Sequence, residues 1–306
     1  INGGISPERV ERYLEENTDV QAFLLTSPTY DGVVSDIKTI AEVVHRHKIP
    51  LIVDEAHGAH LHYSKYFPVS AADLGADIVI QSFHKTLPSM TQTAVLHICS
   101  DMADVEKIKR FMGIYQTSSP SYILMASMDA CMDKLRKDGQ QMFREFTFNL
   151  EKARQRLSKC EKIKLIEGSM IEGSGIYDFD RSKLLFSTVG TSINGHQLHE
   201  MLRDRFHIEM EMEAEKYALG IAAVGDTKEG FERLCDAIEQ IDTETEFVAS
   251  AEESQETVSY ARMKQLMSIS QAMDAQQRRY PLEERSVQSL LTCIRRESRL
   301  LCRESR

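Results

Sequence analysis

Two short apolar runs end on side chains that can do chemistry. Leu51, Ile52 and Val53 lead into Asp54, while Ile78, Val79 and Ile80 lead through Ser82 and His84 to Lys85. A lysine amine can form a Schiff base with an aldehyde cofactor, and a buried carboxylate can keep a pyridine nitrogen protonated so that the ring accepts electrons. Pyridoxal 5'-phosphate needs both. Ser82, placed just before the lysine, can donate a hydrogen bond to the cofactor phosphate, and His84 can act on a substrate carboxylate or in proton transfer. Taken singly, each residue also has a plainer reading: a half-exposed lysine at a strand end and an aspartate capping a loop.

Both runs are continuous and rich in β-branched residues, without polar alternation, which suits strands buried on both faces of a parallel sheet. Ligands of such sheets bind beyond the carboxyl ends of the strands, where Asp54 and Lys85 would emerge together. The flanking sequence supplies the rest of the layer. Ser6-Pro7 predicts a helix over Pro7–Glu16, with serine as cap and proline at the first helical position. A strand over Val20–Thr26, the loop Ser27–Gly32 and a helix over Ser35–His47 follow. That loop shares the sheet edge with Asp54. Thr29 within it has an ordinary turn reading as well as a binding one. His57, His60 and His62 with Asp54 or Glu55 raise a metal site, but no HExxH helix is present, and His60 and His62 read as polar loop residues.

The wording of two segments goes further than their spacing. DEAHGAH from Asp54 to His60 and SFHKTLPSMTQTA from Ser82 to Ala94 closely resemble the Orn/Lys/Arg decarboxylase family, pyridoxal-phosphate enzymes of the aspartate-aminotransferase fold. The resemblance extends over roughly residues 5–281. It implies that Lys85 carries the cofactor, Asp54 pairs with its ring nitrogen, Ser82 touches its phosphate and Ala56 lies against the ring. His57 and His84 lie close by, and Thr29 is a candidate for the ring hydroxyl. Thr117, Ser118 and Ser119 are implied at a dimer interface, reaching a neighbouring subunit's phosphate. Ser119 before Pro120 also fits a plain helix cap. The implied reaction is decarboxylation of arginine, lysine or ornithine to carbon dioxide and an amine of the polyamine pathway, by a homodimer or an oligomer of dimers. An aminotransferase or lyase of the same fold is the alternative enzyme, and a non-catalytic remnant or regulatory subunit the alternative without activity.

The expected fold class is α/β: part of the large domain of a pyridoxal-phosphate fold type I enzyme, with a mostly parallel sheet and flanking helices, plus a smaller α/β domain. A partial cofactor-binding domain spans 1–122, connecting helices 123–158, the small domain 159–241 and an acidic linker 242–257. A strand ending near Ile98 and a helix over Asp104–Met112 close the first of these. The connecting helices are expected over Ile123–Lys137 and Gln140–Ser158. In the small domain the pattern predicts strands over Lys183–Val189, Ile208–Met212 and Tyr217–Val224, and helices over His196–Phe206 and Lys228–Ile238, the last capped by Asp226 or Thr227.

Composition narrows the partners. Of 306 residues, 37 are Lys or Arg and 47 Asp or Glu, for a net charge of −10, which argues against nucleic acid or an anionic membrane as partner. The six cysteines show no CxxC spacing, so neither a zinc knuckle nor a disulfide framework is indicated. No apolar run approaches the roughly 20 residues of a membrane span, and the cytoplasm is the expected compartment.

Residues 258–306 begin like the family's C-terminal domain, but from Arg285 the sequence turns arginine-rich. Back-translating Cys293–Arg299 and reading from the third base can spell Tyr-Pro-Pro-Gly-Ile-Pro, a loop the family carries, so the tail after about Glu284 is expected to be out of frame, the alternative being a basic amphipathic tail that binds a partner. The family's phosphate-binding Gly-Thr-Ser turn and ring-stacking histidine have no equivalent here. A truncated chain with weak cofactor binding and little or no activity is therefore expected.

Overall fold

The computed structural model describes residues 3–166, 176–248 and 268–274. Residues 1–250 form one compact unit and 251–306 a second. The first helix, α1 (Pro7–Glu16), begins as expected, with the Ser6 hydroxyl accepting from the Arg9 amide. Then come β1 (Phe23–Thr26), β2 (Val33–Val34), α2 (Ile37–Arg46) and β3 (Leu51–Asp54). The polypeptide continues through two single 3₁₀ turns to β4 (Ile78–Ser82), the one-turn helix α3 (Phe83–Thr86) and β5 (Ala94–Ile98).

These strands make a sheet of order β1-β3-β4-β5, parallel except for β5. Its core face carries Leu25, Leu51, Val53 and Val79, packed against Val10 and Leu14 of α1 and against Ile37, Ile40, Val43 and Val44 of α2. Each such side chain taken out of water contributes about 1.5–3 kcal/mol. Asp77 fixes where β3 and β4 begin, because its buried carboxylate accepts from the Leu51 amide at 2.7 Å and pairs with His45 at 2.8 Å. The opposite face corrects the expectation of strands buried on both sides. Leu24 and Ile98 are exposed there, and Ile52, Ile80 and Leu96 are only half-buried.

Helix α4 (Val105–Tyr115) follows, capped by Asp104, with none of its residues buried. Helix α5 (Tyr122–Leu157) then runs unbroken for 36 residues, where two helices were expected. Gly139 does not interrupt it because it is buried against Leu135 and Tyr63, and tertiary packing outweighs its weak helix propensity. The cap is Ser121, accepting from the Leu124 amide, and not Ser119.

The second sheet has the order β6-β8-β10-β9 and is antiparallel throughout: β6 (Lys164–Leu165), β8 (Lys183–Ser187), β9 (Met212–Ala214) and β10 (Tyr217–Ile221). The short β7 (Asp178–Phe179) pairs instead with β2, which ties this part of the chain to the loop after β1. Helix α6 (Gly195–Phe206) carries a reciprocal cap between Asn194 and Gln197, and α7 (Lys228–Glu244) is capped by Thr227. A core of Phe143, Phe146, Leu150, Leu157, Phe186, Leu198, Leu202 and Ile238 joins α5, α6 and α7 to the sheet. Strand β9 starts where the strand Ile208–Met212 was expected to end, because the hairpin turn falls at Glu215–Lys216. Helix α7 extends beyond Ile238 into the acidic stretch, and the Asp242 carboxylate accepts from the Lys162 and Ile163 amides at 2.8 and 2.7 Å.

Of the second unit, the described part is α8 (Ile269–Asp274), where Ser268 and Gln271 cap each other. The out-of-frame tail expected after Glu284 lies outside the described residues. No helix among the described residues is long and apolar enough to cross a membrane.

Glycine substitutions test the small-sheet packing. A Cβ at Gly195 would sit 2.1 Å from the Ala214 carbonyl oxygen and 2.2 Å from that of Tyr217, whereas at Gly113 nothing lies within 4 Å. Gly195→Ala is expected to lose about 3 kcal/mol of unfolding free energy or more, since backbone cannot yield to the new methyl. Gly113→Ala, on exposed α4, is expected to gain up to about 1 kcal/mol. Urea denaturation of both variants measures this, and equal effects would contradict the packing of α6 on the β9–β10 hairpin.

Candidate active site

The parallel register of β3 and β4 sets Asp54 opposite Ile80, and alternation along β4 then places Ser82 on the same face as Ile80 and Asp54. That is the half-open face. The Asp54 Oδ1 accepts from the amide of half-buried Ala56 at 3.1 Å, which bends the chain out of the strand toward His57. Beyond β4, Ser82 occupies the cap position of α3 without capping it, and Lys85 projects from that turn.

His57 joins the two strand ends. Its Nε2 lies 3.2 Å from the Lys85 amine and its Nδ1 lies 3.0 Å from a second amine, that of Lys183 at the start of β8. Burial first, then Lys183 and Lys85, pull the imidazole down from its usual 6.5 to about 3. Tyr30 rests edge-on against the ring with centroids 4.9 Å apart, its hydroxyl donating to Glu211, and that bond pushes the phenol up to about 12.

Lys183 itself is 0% exposed. Desolvation lowers its amine, against the opposing pull of Asp180, Glu211 and Asp31. Asp180 is fully buried, which alone would raise its carboxyl, but His60, Lys183 and the Ser182 amide bring it down to about 2. Gly32 makes room for this arrangement. It has φ +97°, and a Cβ there would fall 2.6 Å from the Lys183 Cγ.

His84 donates through Nδ1 to the Thr93 carbonyl at 2.9 Å, because a carbonyl can only accept, so in the neutral ring the lone pair is on Nε2. Thr29 is engaged in its own turn, its Oγ1 accepting from the Val33 amide at 3.0 Å, so the turn reading describes the bond observed. Ser118 lies exposed on the loop between α4 and α5 and makes no bond to the other candidates. The structure thus brings Lys85 and His57 into contact and sets Asp54, Ala56, Ser82 and His84 at the same strand ends, while Ser118 stays apart. The three loop histidines have separate partners: the two lysines for His57, Asp180 for His60 and Asp73 for His62. His60 is 1% exposed, which corrects its reading as a polar loop residue. Among the described residues no three His, Cys, Asp or Glu side chains converge as a metal site.

Residues 1–215 match the family described as Orn/Lys/Arg decarboxylase, major domain. The chain belongs to the Orn/Lys/Arg decarboxylase family. It is similar to the arginine decarboxylase of Bacillus subtilis (strain 168), 33% identical over 241 residues, which cover 79% of this chain and 49% of that protein. It is also similar to the arginine decarboxylase of Halalkalibacterium halodurans, 31% identical over 242 residues, with the same 79% and 49% coverage. The chain therefore spans about half the length of the curated relatives it matches. Among solved structures it resembles the lysine decarboxylase of Francisella novicida, with TM-score 0.64 and 18% identity over 78% of this chain and 40% of that one. An alanine–glyoxylate aminotransferase from Nostoc sp. resembles it with TM-score 0.60 and 15% identity, over 78% of this chain and 66% of the other. At such identities the likeness is one of fold, that of the pyridoxal-phosphate fold type I enzymes.

The family's cofactor has an aldehyde, a basic ring nitrogen and a phosphate, and the residues present suit those groups. Lys85 offers an amine and Asp54 a half-open carboxylate. The Ser82 hydroxyl makes no cap bond to α3, and the buried Thr86 hydroxyl beside Lys85 has no partner among the described residues. Unpaired buried hydroxyls are costly unless something else satisfies them. The residues the sequence did not single out are Lys183, Asp180 and Tyr30. The one signal for Lys183 is a charged residue opening the apolar run KLLFS.

The His57 environment gives a pH dependence of stability. In the fold this imidazole stays neutral down to about 3, whereas the unfolded chain takes the proton near 6.5. Stability is therefore full above about pH 6.5 and is lost as the pH falls from there toward 3. Between pH 7 and pH 5 this group is expected to remove about 2 kcal/mol. Urea denaturation at both values should show a loss smaller by that amount in His57→Asn, and identical losses would refute the burial argument.

Proposed function

We propose that this chain supplies the lysine-bearing part of a pyridoxal 5'-phosphate-dependent decarboxylase acting on arginine, lysine or ornithine. The observation that carries the reading is the delivery of Lys85 and Asp54 to one edge by adjacent parallel strands, with His57 bridging from the Asp54 side to the Lys85 amine. Family membership and the fold support it.

In this reading Lys85 would hold the cofactor through its aldehyde. Asp54 holds a proton on the ring nitrogen. Ser82 and Thr29 donate hydrogen bonds to the phosphate and the ring hydroxyl, and Ala56 lies against the ring. When bound, the cofactor supplies an electron sink for the pair left behind as carbon dioxide departs. His84, with its Nε2 lone pair free, acts on the substrate carboxylate or moves the proton that replaces it. The products are an amine and carbon dioxide. An aminotransferase would release a keto acid instead, and a non-catalytic remnant neither.

A homodimer is part of the proposal. The apolar residues Ile114, Tyr115, Tyr122, Ile123 and Met125 at the end of α4 and the start of α5 are exposed, which supports burial against a second copy. Ser118 lies between those helices, and its proposed place is that interface. The cytoplasm is the proposed compartment. Supporting this, the four cysteines among the described residues are all free.

Addition of pyridoxal 5'-phosphate followed by borohydride should fix the label on Lys85, as read by peptide mass, and Lys85→Ala should abolish it. Asp54→Asn is expected to keep the label while lowering carbon dioxide release from the preferred substrate at least about 100-fold, since the ring loses its charged partner. Labelling of other lysines with Lys85 untouched would refute the assignment. A keto acid in place of an amine would favour the transaminase.

A further inference from the structure

Two amines flank one buried imidazole, and the hydrogens available between them are limited. A neutral imidazole has one N–H and one lone pair. Both of its nitrogens lie within hydrogen-bond distance of a lysine nitrogen, at 3.0 Å to Lys183 and 3.2 Å to Lys85. Each of the two bonds takes one hydrogen. The imidazole supplies one, and the lysine facing that N–H must offer a lone pair, which an ammonium does not have. At least one of the two lysines is therefore a neutral amine whenever both bonds are made.

The surroundings decide which arrangement rests where. Lys183 is completely enclosed, and burial favours its neutral form; Lys85 is only partly covered. In the resting arrangement the Lys85 ammonium donates to Nε2, and the Nδ1–H donates to the Lys183 amine. The alternative is also provided for. The ionised Asp180 carboxylate, Glu211 and Asp31 all favour a charge on Lys183, while Tyr30 faces the ring with its proton committed to Glu211, and His60 is committed to Asp180.

We propose that Lys183 is the proton store for Lys85, with His57 as the relay between them. The Lys85 Nζ–H bond breaks as an Nε2–H bond forms; the Nδ1–H bond breaks as a third N–H bond forms on the Lys183 Nζ. Lys85 is left as a neutral nucleophile, Lys183 becomes an ammonium beside Asp180, and the imidazole ends neutral as its other tautomer. No proton enters from solvent and none is lost. Lys183 acts through His57, as a positioning residue. This inference rests on the proposed role of Lys85 as the amine that captures an aldehyde.

The test reads Lys85 without pyridoxal phosphate. Reductive methylation with formaldehyde and cyanoborohydride requires a neutral amine, and its rate at Lys85 can be followed by peptide mass across pH 6.5–10. In Lys183→Met the rate at pH 7 is expected to fall at least about tenfold relative to the wild type. The two curves should converge near pH 10, where hydroxide removes the proton directly. His57→Phe should reproduce the Lys183→Met curve, and the double variant should add nothing further. Superimposable wild-type and Lys183→Met curves would overturn the proposal, as would a reduction equal at every pH, which is the mark of structural damage. Should Lys183→Met fail to fold, the ¹⁵N shifts of His57 in the wild-type chain decide. A neutral ring with a protonated Nδ1 near pH 7 supports the relay; a protonated Nε2 at rest, or an imidazolium, refutes it. Loss of borohydride labelling with the methylation difference intact would refute the decarboxylase reading and leave this one standing.

Discussion

The parallel pairing of β3 with β4 is the constraint on which the site depends. Ile52, Val53 and Asp54 lie opposite Ile78, Val79 and Ile80, so both strands release the chain at the same edge. A one-residue slip of β3 would move Asp54 to the core face, near Leu25 and Val79 of the neighbouring strands, where an ionised carboxylate has neither water nor partner. That register is held from its far end. Asp77 accepts from the Leu51 amide and so anchors the start of β3 beside the start of β4. At the near end, the Glu55 amide donates to the Ile80 carbonyl at 2.8 Å, continuing the ladder one residue past Asp54.

Glu55 shows how the loop after β3 is kept in place. Its carboxylate is 1% exposed and accepts from the Ser70 hydroxyl, the Ala71 amide and the Gln81 side chain. Burial still pushes the carboxyl up, so the three donors offset desolvation without cancelling it. Gly58 is required in this turn, since a Cβ there would lie 2.4 Å from the Glu55 Cγ. The adjacent acidic residues of DEAHGAH therefore do opposite work. Glu55 faces the core and fixes the loop, while Asp54 faces the half-open side and remains available to a ligand. The alternation of side chains along an extended chain separates them.

Local signals in the sequence were legible where the chain's own neighbours decide the outcome. Ser6-Pro7 fixed the start of α1, the runs ending at Asp54 and Ser82 became adjacent parallel strands, and KLLFS became the strand β8. The motif residues Asp54, Ser82 and Lys85 also lie together at one edge of the sheet. What was illegible depends on partners far along the chain. Lys183 lies 126 residues from His57, and Asp180 lies 120 residues from His60. No spacing rule reaches that distance. Two helices were expected either side of Asp138 and Gly139, and the packing of Gly139 against Leu135 and Tyr63 explains why α5 continues through them.

Burying an amine, an imidazole and a carboxylate together works against stability unless each charge is compensated. Here compensation is distributed unevenly. Asp180 has His60, Lys183 and a backbone amide, yet its Oδ2 and the His60 Nδ1 make no bond among the described residues. Simple replacement of such a group by apolar side chains would remove these unpaired atoms, and the surrounding core of Leu184, Phe186 and Leu219 shows that the second sheet is otherwise built from such side chains. The cluster is instead threaded past Gly32, the residue whose missing side chain leaves room for the Lys183 stem. Charge placed at that expense, and linked through His57 to Lys85 on the half-open edge, fits the proposed role at Lys85.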